Sequence, residues 1–142
     1  MFYFRKLIDE NEVELVSYVK QYLVDHQLED IKIHVGCDSQ NIGPLTHYAT
    51  TVVFHIGNSG CHFIYKKEKL PKIEDMWTKL WGETTRSVEI ANHLKEHGIH
   101  VNSVDLDFNS DEKQKSNKLV SASVGFVAVS YTHLTLPTIA GV

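Results

Sequence analysis

The sequence predicts one α/β domain built on a mixed β-sheet. Three β-branched and aromatic segments follow one another across short turns, at residues 31–40, 47–56 and 61–66, and short turns make neighbouring strands antiparallel. A long helical pattern then precedes a further strand-like segment, and a strand that returns through a helix is expected to run parallel to its partner. At 142 residues the chain is long enough for one domain with a core and too short for two ordinary domains.

A helix is predicted in front of the sheet, at residues 9–25. Asp9 and Glu12 stand three residues apart in a capping-box pattern, with Asp in place of Ser or Thr. An apolar stripe at helical spacing follows, and such a stripe usually docks onto a core. Its members are Leu15, Val16, Val19, Tyr22 and Leu23.

The first strand carries a carboxylate at its predicted end. Apolar residues from Ile31 to Cys37 alternate with polar ones, which is typical of a strand with one buried face. Asp38 follows directly. An unpaired charge is costly inside a core, so an acid at this position is better suited to holding a metal or polarising a substrate.

The strongest helical pattern spans residues 72–97 and is followed by Gly98, a good C-terminal stop. Trp77 and Trp81 are predicted to lie in the core rather than to form a base-stacking platform. A fourth strand is expected at residues 99–108. The helix face that is predicted to be buried comprises Trp77, Leu80, Trp81, Thr84, Val88, Ala91 and Leu94.

The remaining residues begin basic and become apolar. Residues 113–127 predict a further helix, whose Lys113, Lys115 and Lys118 are expected to form a solvated start rather than a phosphate contact. No lysine, arginine, aspartate or glutamate occurs from Leu119 onward, and the hydroxyls of the last segment argue against a membrane span.

The composition excludes few classes of function. The formal net charge is −4, so the chain has no global basic field for nucleic acid, although a basic surface can be local. The two cysteines, Cys37 and Cys61, lie in strand-like runs and are expected to be buried thiols in a reducing compartment. With no apolar leader after residue 6, the expected location is the cytoplasm.

Three further acids accompany Asp38. Glu89 lies about 100° round the long helix from Val88, near the predicted seam between helix and sheet. Asp105 and Asp107 share a face at the end of the fourth strand. Carboxylates that converge repel one another unless they are protonated or bridged by cations, and hard oxygen ligands suit Mg²⁺ or Mn²⁺.

Other interpretations of these residues stay open. Asp38 could cap a turn, Glu89 could pair with Arg86 or His93, and the two fourth-strand acids could be solvated. A calcium loop starting at either of those acids lacks the required Gly and Glu. Zinc binding by His93 and His97 lacks an accompanying H-E-x-x-H pattern.

Three short motifs together resemble the ribonuclease H-like YkuK family of bacterial proteins, which are described as predicted nucleases. They are Val35-Gly36-Cys37-Asp38-Ser39-Gln40, Thr85-Arg86-Ser87-Val88-Glu89-Ile90 and Val104-Asp105-Leu106-Asp107-Phe108-Asn109. The resemblance covers residues 10–127 and includes Lys66-Lys67-Glu68-Lys69-Leu70-Pro71. It implies a ribonuclease H-like fold in which three strands are followed by an α-β-α order after the extra N-terminal helix.

The resemblance also implies a site. In such folds an Asp of the first strand, a Glu of the first helix and an Asp of the fourth strand hold the metals. By motif these are Asp38, Glu89 and Asp107, with Asp105 as the rival for the third place. The implied activity is hydrolysis of phosphodiester bonds in RNA or structured nucleic acid with Mg²⁺ or Mn²⁺, and two such ions are expected. The alternative is an inert module of the same fold that binds nucleic acid or a protein partner.

The resemblance stops after residue 127. The segment at 129–142 resembles translated sequencing-adapter read-through, so the expected domain is 1–128 and the tail is expected to be foreign. The last strand and the C-terminal helix of the fold are then expected to be missing, which would leave an exposed sheet edge.

Overall fold

The structure, a computed structural model, describes residues 1–58 and 60–105 and the backbone of residues 134–135. Seven strands and two helices form in this part of the chain. In chain order they are β1 (Tyr3–Lys6), β2 (Glu12–Glu14), α1 (Leu15–Asp25), β3 (Ile31–Ile42), β4 (Leu45–Ile56), β5 (Cys61–Pro71), α2 (Met76–Glu96), β6 (Ser103–Asp105) and β7 (Leu134–Thr135).

The strands form one mixed sheet in the order β2-β1-β5-β4-β3-β6-β7. β3, β4 and β5 are antiparallel to one another, and β6 returns through α2 to pair in parallel with β3. The predicted α/β class, the antiparallel three-strand order and the parallel fourth strand are therefore confirmed. The pairing of β3 with β4 runs without a bulge from Ile31↔Ile56 to Ile42↔Leu45.

Side chains that alternate along the strands divide the sheet into two faces. On the first, here the covered face, buried residues such as Val35, Val52 and Ile64 pack against both described helices. α1 contributes Leu15 and Val19, and α2 contributes a stripe through its whole length. The alternate residues form the second, here the open face, on which neither described helix packs. Because cross-strand partners share a face, the register assigns every strand residue to one face or the other.

Both helices begin later than the sequence predicts. α1 begins at Leu15 because the Glu14 carboxylate accepts hydrogen bonds from the Val16 and Ser17 amides and caps the first turn. The predicted capping box is wrong: Asp9 accepts from the Asn11 amide instead, and Glu12 lies in β2. α2 begins at Met76, capped by Asp75, whose carboxylate accepts from the Thr78 amide.

Three apolar residues are more exposed than predicted. Cys61 is exposed at the start of β5, whereas Cys37 is buried as expected, and burial raises the pKa of the Cys37 thiol to about 12. Trp77 and Trp81 are each 36% exposed. Trp81 lies about 100° round α2 from the buried Leu80, which takes the core position instead.

The C-terminal predictions fall mainly outside the described residues. The fourth strand, predicted at residues 99–108, begins later than predicted, since residues 99–102 are not in a strand and β6 starts at Ser103. Residues 106–108 and the predicted helix at 113–127 with its three lysines lie outside the described residues. β7, from within the segment at 129–142, pairs in parallel with β6 through Val104↔Leu134. Among the described helices, neither has the length and apolar character that a membrane crossing requires.

Candidate functional site

Asp38 lies on the open face of β3, four residues before the strand ends. The prediction that the strand ends at this acid is wrong, because β3 continues to Ile42 and pairs with β4 across a turn at Gly43 and Pro44. Asp38 is directly opposite Ala49 of β4. It borders a cavity of ≈ 450 Å³. That cavity is also lined by Ser39, Gln40, Ile42, His47, Tyr48, Ala49 and Lys67.

Asp105 lies on the same face, on the neighbouring parallel strand. It pairs with Gly36, two residues before Asp38. A Cβ at residue 36 would lie 3.6 Å from the Asp105 Cβ, an ordinary van der Waals contact, so residue 36 does not crowd Asp105. Strand spacing and rise place the Cα atoms of the two acids about 8 Å apart. The parallel pairing therefore brings together two of the four predicted acids.

A short hydrogen-bond chain holds Asp105. The Ser103 hydroxyl donates to Asp105 Oδ1 at 3.3 Å and is hydrogen-bonded to His34 Nδ1. Since the hydroxyl has one proton, which goes to the carboxylate, the imidazole Nδ1–H is the donor in the second bond. Ser103 is only 6% exposed. Sequence reasoning missed His34 and Ser103. His34 stands two residues before Gly36 and Ser103 two residues before Asp105, so each shares a face with that residue.

Glu89 lies elsewhere. It is exposed on α2, which packs on the covered face, and borders a separate cavity of ≈ 250 Å³ with Thr50, Lys66 and Arg86. The predicted alternative is an ion pair between Glu89 and Arg86. Arg86 instead pairs with Glu68: its guanidinium lies 3.2 Å from Glu68 Oε2 and 3.9 Å from the Tyr48 ring centroid.

Glu83 is the buried acid of α2, and sequence reasoning missed it. It lies 8% exposed on the covered face and accepts a hydrogen bond from the Ser39 hydroxyl of β3. Glu83 lies three residues after Leu80 and four before Ser87, which places it on the buried stripe of α2. This spacing could have identified Glu83 as a buried acid. Glu83 joins α2 to β3 on the opposite side of the sheet from Asp38.

The predicted three-acid centre is thus only partly described. Asp38 and Asp105 share the open face, Glu89 is exposed on α2, which packs on the covered face, and Asp107 lies outside the described residues. Within residues 1–58 and 60–105, no group of three His, Cys, Asp or Glu side chains is placed to hold a metal ion. The assignment of Asp38, Glu89 and Asp107 as metal ligands stays a prediction.

A family model described as ribonuclease H-like matches residues 14–136, which include every described element from α1 to β7. No curated protein and no solved structure matches the chain. The narrower bacterial family that the motifs resemble stays a prediction.

Proposed function

The chain belongs to the ribonuclease H-like family, and from this premise we propose that it is a metal-dependent nuclease that hydrolyses RNA or structured nucleic acid. One observation carries the proposal: two carboxylates, Asp38 and Asp105, lie on the same face of two adjacent parallel strands. Neither acid is needed for core packing. Their position on the face that neither described helix covers suits them to act on a bound ligand.

The donor chemistry of these two acids fits Mg²⁺ or Mn²⁺, which prefer carboxylate oxygens. Asp38 and Asp105 would hold the ion or ions, and Asp107 would add a further ligand. When bound, such ions activate water and stabilise the leaving oxygen of a phosphodiester. Ser103 and His34 would keep the Asp105 carboxylate in one orientation, as outer hydrogen bonds do for metal ligands generally. Glu89 enters this proposal only as a residue to be tested.

The alternative is a module of the same fold that binds nucleic acid or a protein without turnover. The placement of Glu89 favours it, since α2 packs on the covered face while Asp38 faces the other way. An incomplete set of ligands would leave binding intact and remove the chemistry.

Thermal melting with and without Mn²⁺ tests the metal site. A ligand that binds only the folded state at about 100 times its Kd stabilises it by about 2.7 kcal/mol. We expect Mn²⁺ to raise the melting temperature of the parent chain and to leave that of Asp38→Asn unchanged. Asp30→Asn is the matched control, because it makes the same change at an exposed aspartate that precedes β3, away from the two acids. A melting temperature that does not respond to Mn²⁺ contradicts the metal site.

Cleavage of a labelled RNA in Mn²⁺ tests the activity. Asp38→Asn should abolish cleavage while the circular dichroism spectrum stays that of the parent chain. Glu89→Gln decides between the two placements of the site: loss of cleavage assigns Glu89 to the reaction, and retained cleavage confines the site to the open face. Undiminished cleavage by Asp38→Asn would refute the assignment, and no cleavage by any form leaves the binding module.

A further inference from the structure

The open face carries cations beside Asp38 that the proposed chemistry does not use. Lys67 and Lys69 stand two residues apart on β5 and are both exposed. In the described part of the chain, neither forms an ion pair, whereas Lys66, on the covered face, lies 3.6 Å from Glu68. The net charge of −4 therefore does not exclude a local cationic surface on β5.

The register arranges these residues in rows that cross the sheet toward the acids. Lys69, His47 and Gln40 form one row, and Lys67, Ala49 and Asp38 form the next. With strands about 4.8 Å apart, Lys67 and Asp38 are separated by about 10 Å at the backbone. Ala49, the small residue between them, forms the floor of a trough with a cation on one side and a carboxylate on the other.

The third row adds an aromatic ring. Tyr65 of β5 is paired with Thr51, and the row continues through Gly36 to Asp105. The Lys67 Nζ lies 5.5 Å from the Tyr65 ring centroid, so cation and ring occupy the same patch of surface. Lys67 borders both the Asp38 cavity and a second cavity, of ≈ 420 Å³, that contains Tyr65. The two cavities therefore meet at this lysine.

Charges of both signs lie beyond Tyr65. Arg5 of β1 is exposed and pairs with Tyr65 on one side and with Glu12 of β2 on the other. Arg5 lines the second cavity together with Glu10 and Glu12, so a cation separates these acids from Tyr65 and Lys67.

We propose that Lys67, Lys69 and Tyr65 form a binding track for a single-stranded polynucleotide. The two lysines contact successive phosphates, whose charge they match, and the Tyr65 ring stacks on one base. Tyr65 is half-buried, and aromatic rings beside cations bind single strands of any sequence by stacking on a base. The strand then lies in the trough over Ala49, with a phosphodiester beside Asp38. This inference rests on the proposed function, for which it supplies the substrate-binding surface.

Binding is measured by fluorescence anisotropy with a labelled oligouridine of about 12 nucleotides, in EDTA so that turnover plays no part. Lys67→Gln and Lys69→Gln should each weaken binding about 3- to 10-fold, and each should reduce the slope of log K against log salt by about 0.7. Lys20→Gln, which removes the same charge from the exposed face of α1, is the matched control and should bind as the parent chain does.

Two further variants make the test specific. Lys67→Arg keeps the charge and should retain binding, while Ala49→Leu fills the trough without changing charge and should weaken binding. Melting temperatures confirm that each variant is folded, and Ala49→Val, a smaller addition of a residue that suits a strand, replaces Ala49→Leu if the leucine variant does not fold. A DNA oligonucleotide of the same length should bind within about threefold of the RNA, since stacking and phosphate contacts do not read the 2′-hydroxyl.

Three results would overturn the track: no binding at low salt, equal affinities for the two lysine variants and Lys20→Gln, or tighter binding of a duplex than of either single strand. Failure of the nuclease proposal gives a different result. Binding that depends on both lysines without cleavage in Mn²⁺ supports the track alone, whereas cleavage that is indifferent to both lysines supports the nuclease alone.

Discussion

The two faces of the sheet treat charge in opposite ways. On the covered face, Arg86 contacts the Glu68 carboxylate, the Gly82 carbonyl and the Tyr48 ring, and Glu83 accepts from Ser39. On the open face, Lys67 and Lys69 have no carboxylate partner among the described residues. A buried charge needs a partner within its own fold because an unpaired buried charge is costly, whereas an exposed charge without such a partner is available to a ligand. The comparison therefore separates structural polar groups from functional ones within a single sheet.

Adjacent residues of β4 give the largest expected contrast. Phe54 is fully buried on the covered face and contacts the rings of Tyr18 and Tyr22, whereas His55 is exposed on the open face. Phe54→Ala should lower the free energy of unfolding by about 3–5 kcal/mol. His55→Ala should change it by less than about 0.5 kcal/mol. Urea denaturation measures both, and comparable losses would mean that the faces are assigned incorrectly.

Two glycine-to-alanine substitutions sharpen the same contrast, because they add one methyl group to the covered face and one to the open face. A Cβ at Gly82 would lie 2.4 Å from the Tyr48 hydroxyl oxygen, where α2 packs against β4. Gly82→Ala should therefore cost about 1–3 kcal/mol, despite the better helix propensity of alanine. At Gly36 the nearest atom would be 3.6 Å away, an ordinary contact. Gly36→Ala should leave the urea midpoint nearly unchanged, and a large loss there would indicate that the open face is packed.

Ser103 is the buried polar group of the open face, and its removal tests whether it serves a ligand. Ser103→Ala leaves Asp105 without its hydroxyl donor and should weaken Mn²⁺ binding about 10-fold, at a cost in stability of about 1 kcal/mol. Thr51→Val removes a hydroxyl from the same face without touching either acid, and should leave Mn²⁺ affinity unchanged. Equal Mn²⁺ titrations of the two variants would assign Ser103 a purely structural role.

The smallest expected effect is a pH dependence of stability that arises from a histidine on the covered face. Burial, and then the nearby His26, lower the pKa of His62, whose Nε2 lies 2.6 Å from the Tyr18 hydroxyl. The unfolded state, with an ordinary histidine pKa of about 6.5, then binds more protons than the folded state just below that pH. Stability should therefore fall as the pH is lowered through about 6.5. Thermal melts from about pH 7.5 to about pH 5.5 should show a smaller decrease for His62→Gln, and an equal decrease would assign the effect to other groups.

The sequence predicted the sheet better than the site. Alternation from Ile31 to Cys37 predicted β3, and turn chemistry predicted its antiparallel neighbours. The same alternation also predicts the face on which Asp38 lies. Asp38 follows Cys37, whose side chain faces the helices, so the Asp38 side chain has to face the other way. The prediction that Glu89 meets Asp38 did not use this rule. Period-2 patterning, applied once more, would have placed Asp38 on the face opposite the one that α2 covers, and the role of Glu89 stays a prediction.

Other differences come from interactions that no local pattern contains. β1 has four residues and β2 has three, which is too few for a periodic signal. They form because β1 pairs with β5 on one side and with β2 on the other. The Ser103–His34 contact joins residues that are 69 positions apart. The late start of α1 depends on the competition between Glu12 pairing in β2 and Glu12 capping a helix, which the tertiary pairing decides.

The unbroken pairing of β3, β4 and β5 has a consequence for the order in which the molecule folds. These strands have 12, 12 and 11 residues and are joined by short turns, so their contacts close small loops. β6 has three described residues and reaches β3 only after α2 has crossed the sheet. We therefore expect the amide hydrogens of the three long strands to exchange slowest with solvent and those of β6 to exchange earlier. Asp105 would then join Asp38 in a late step, on a sheet surface that has already formed.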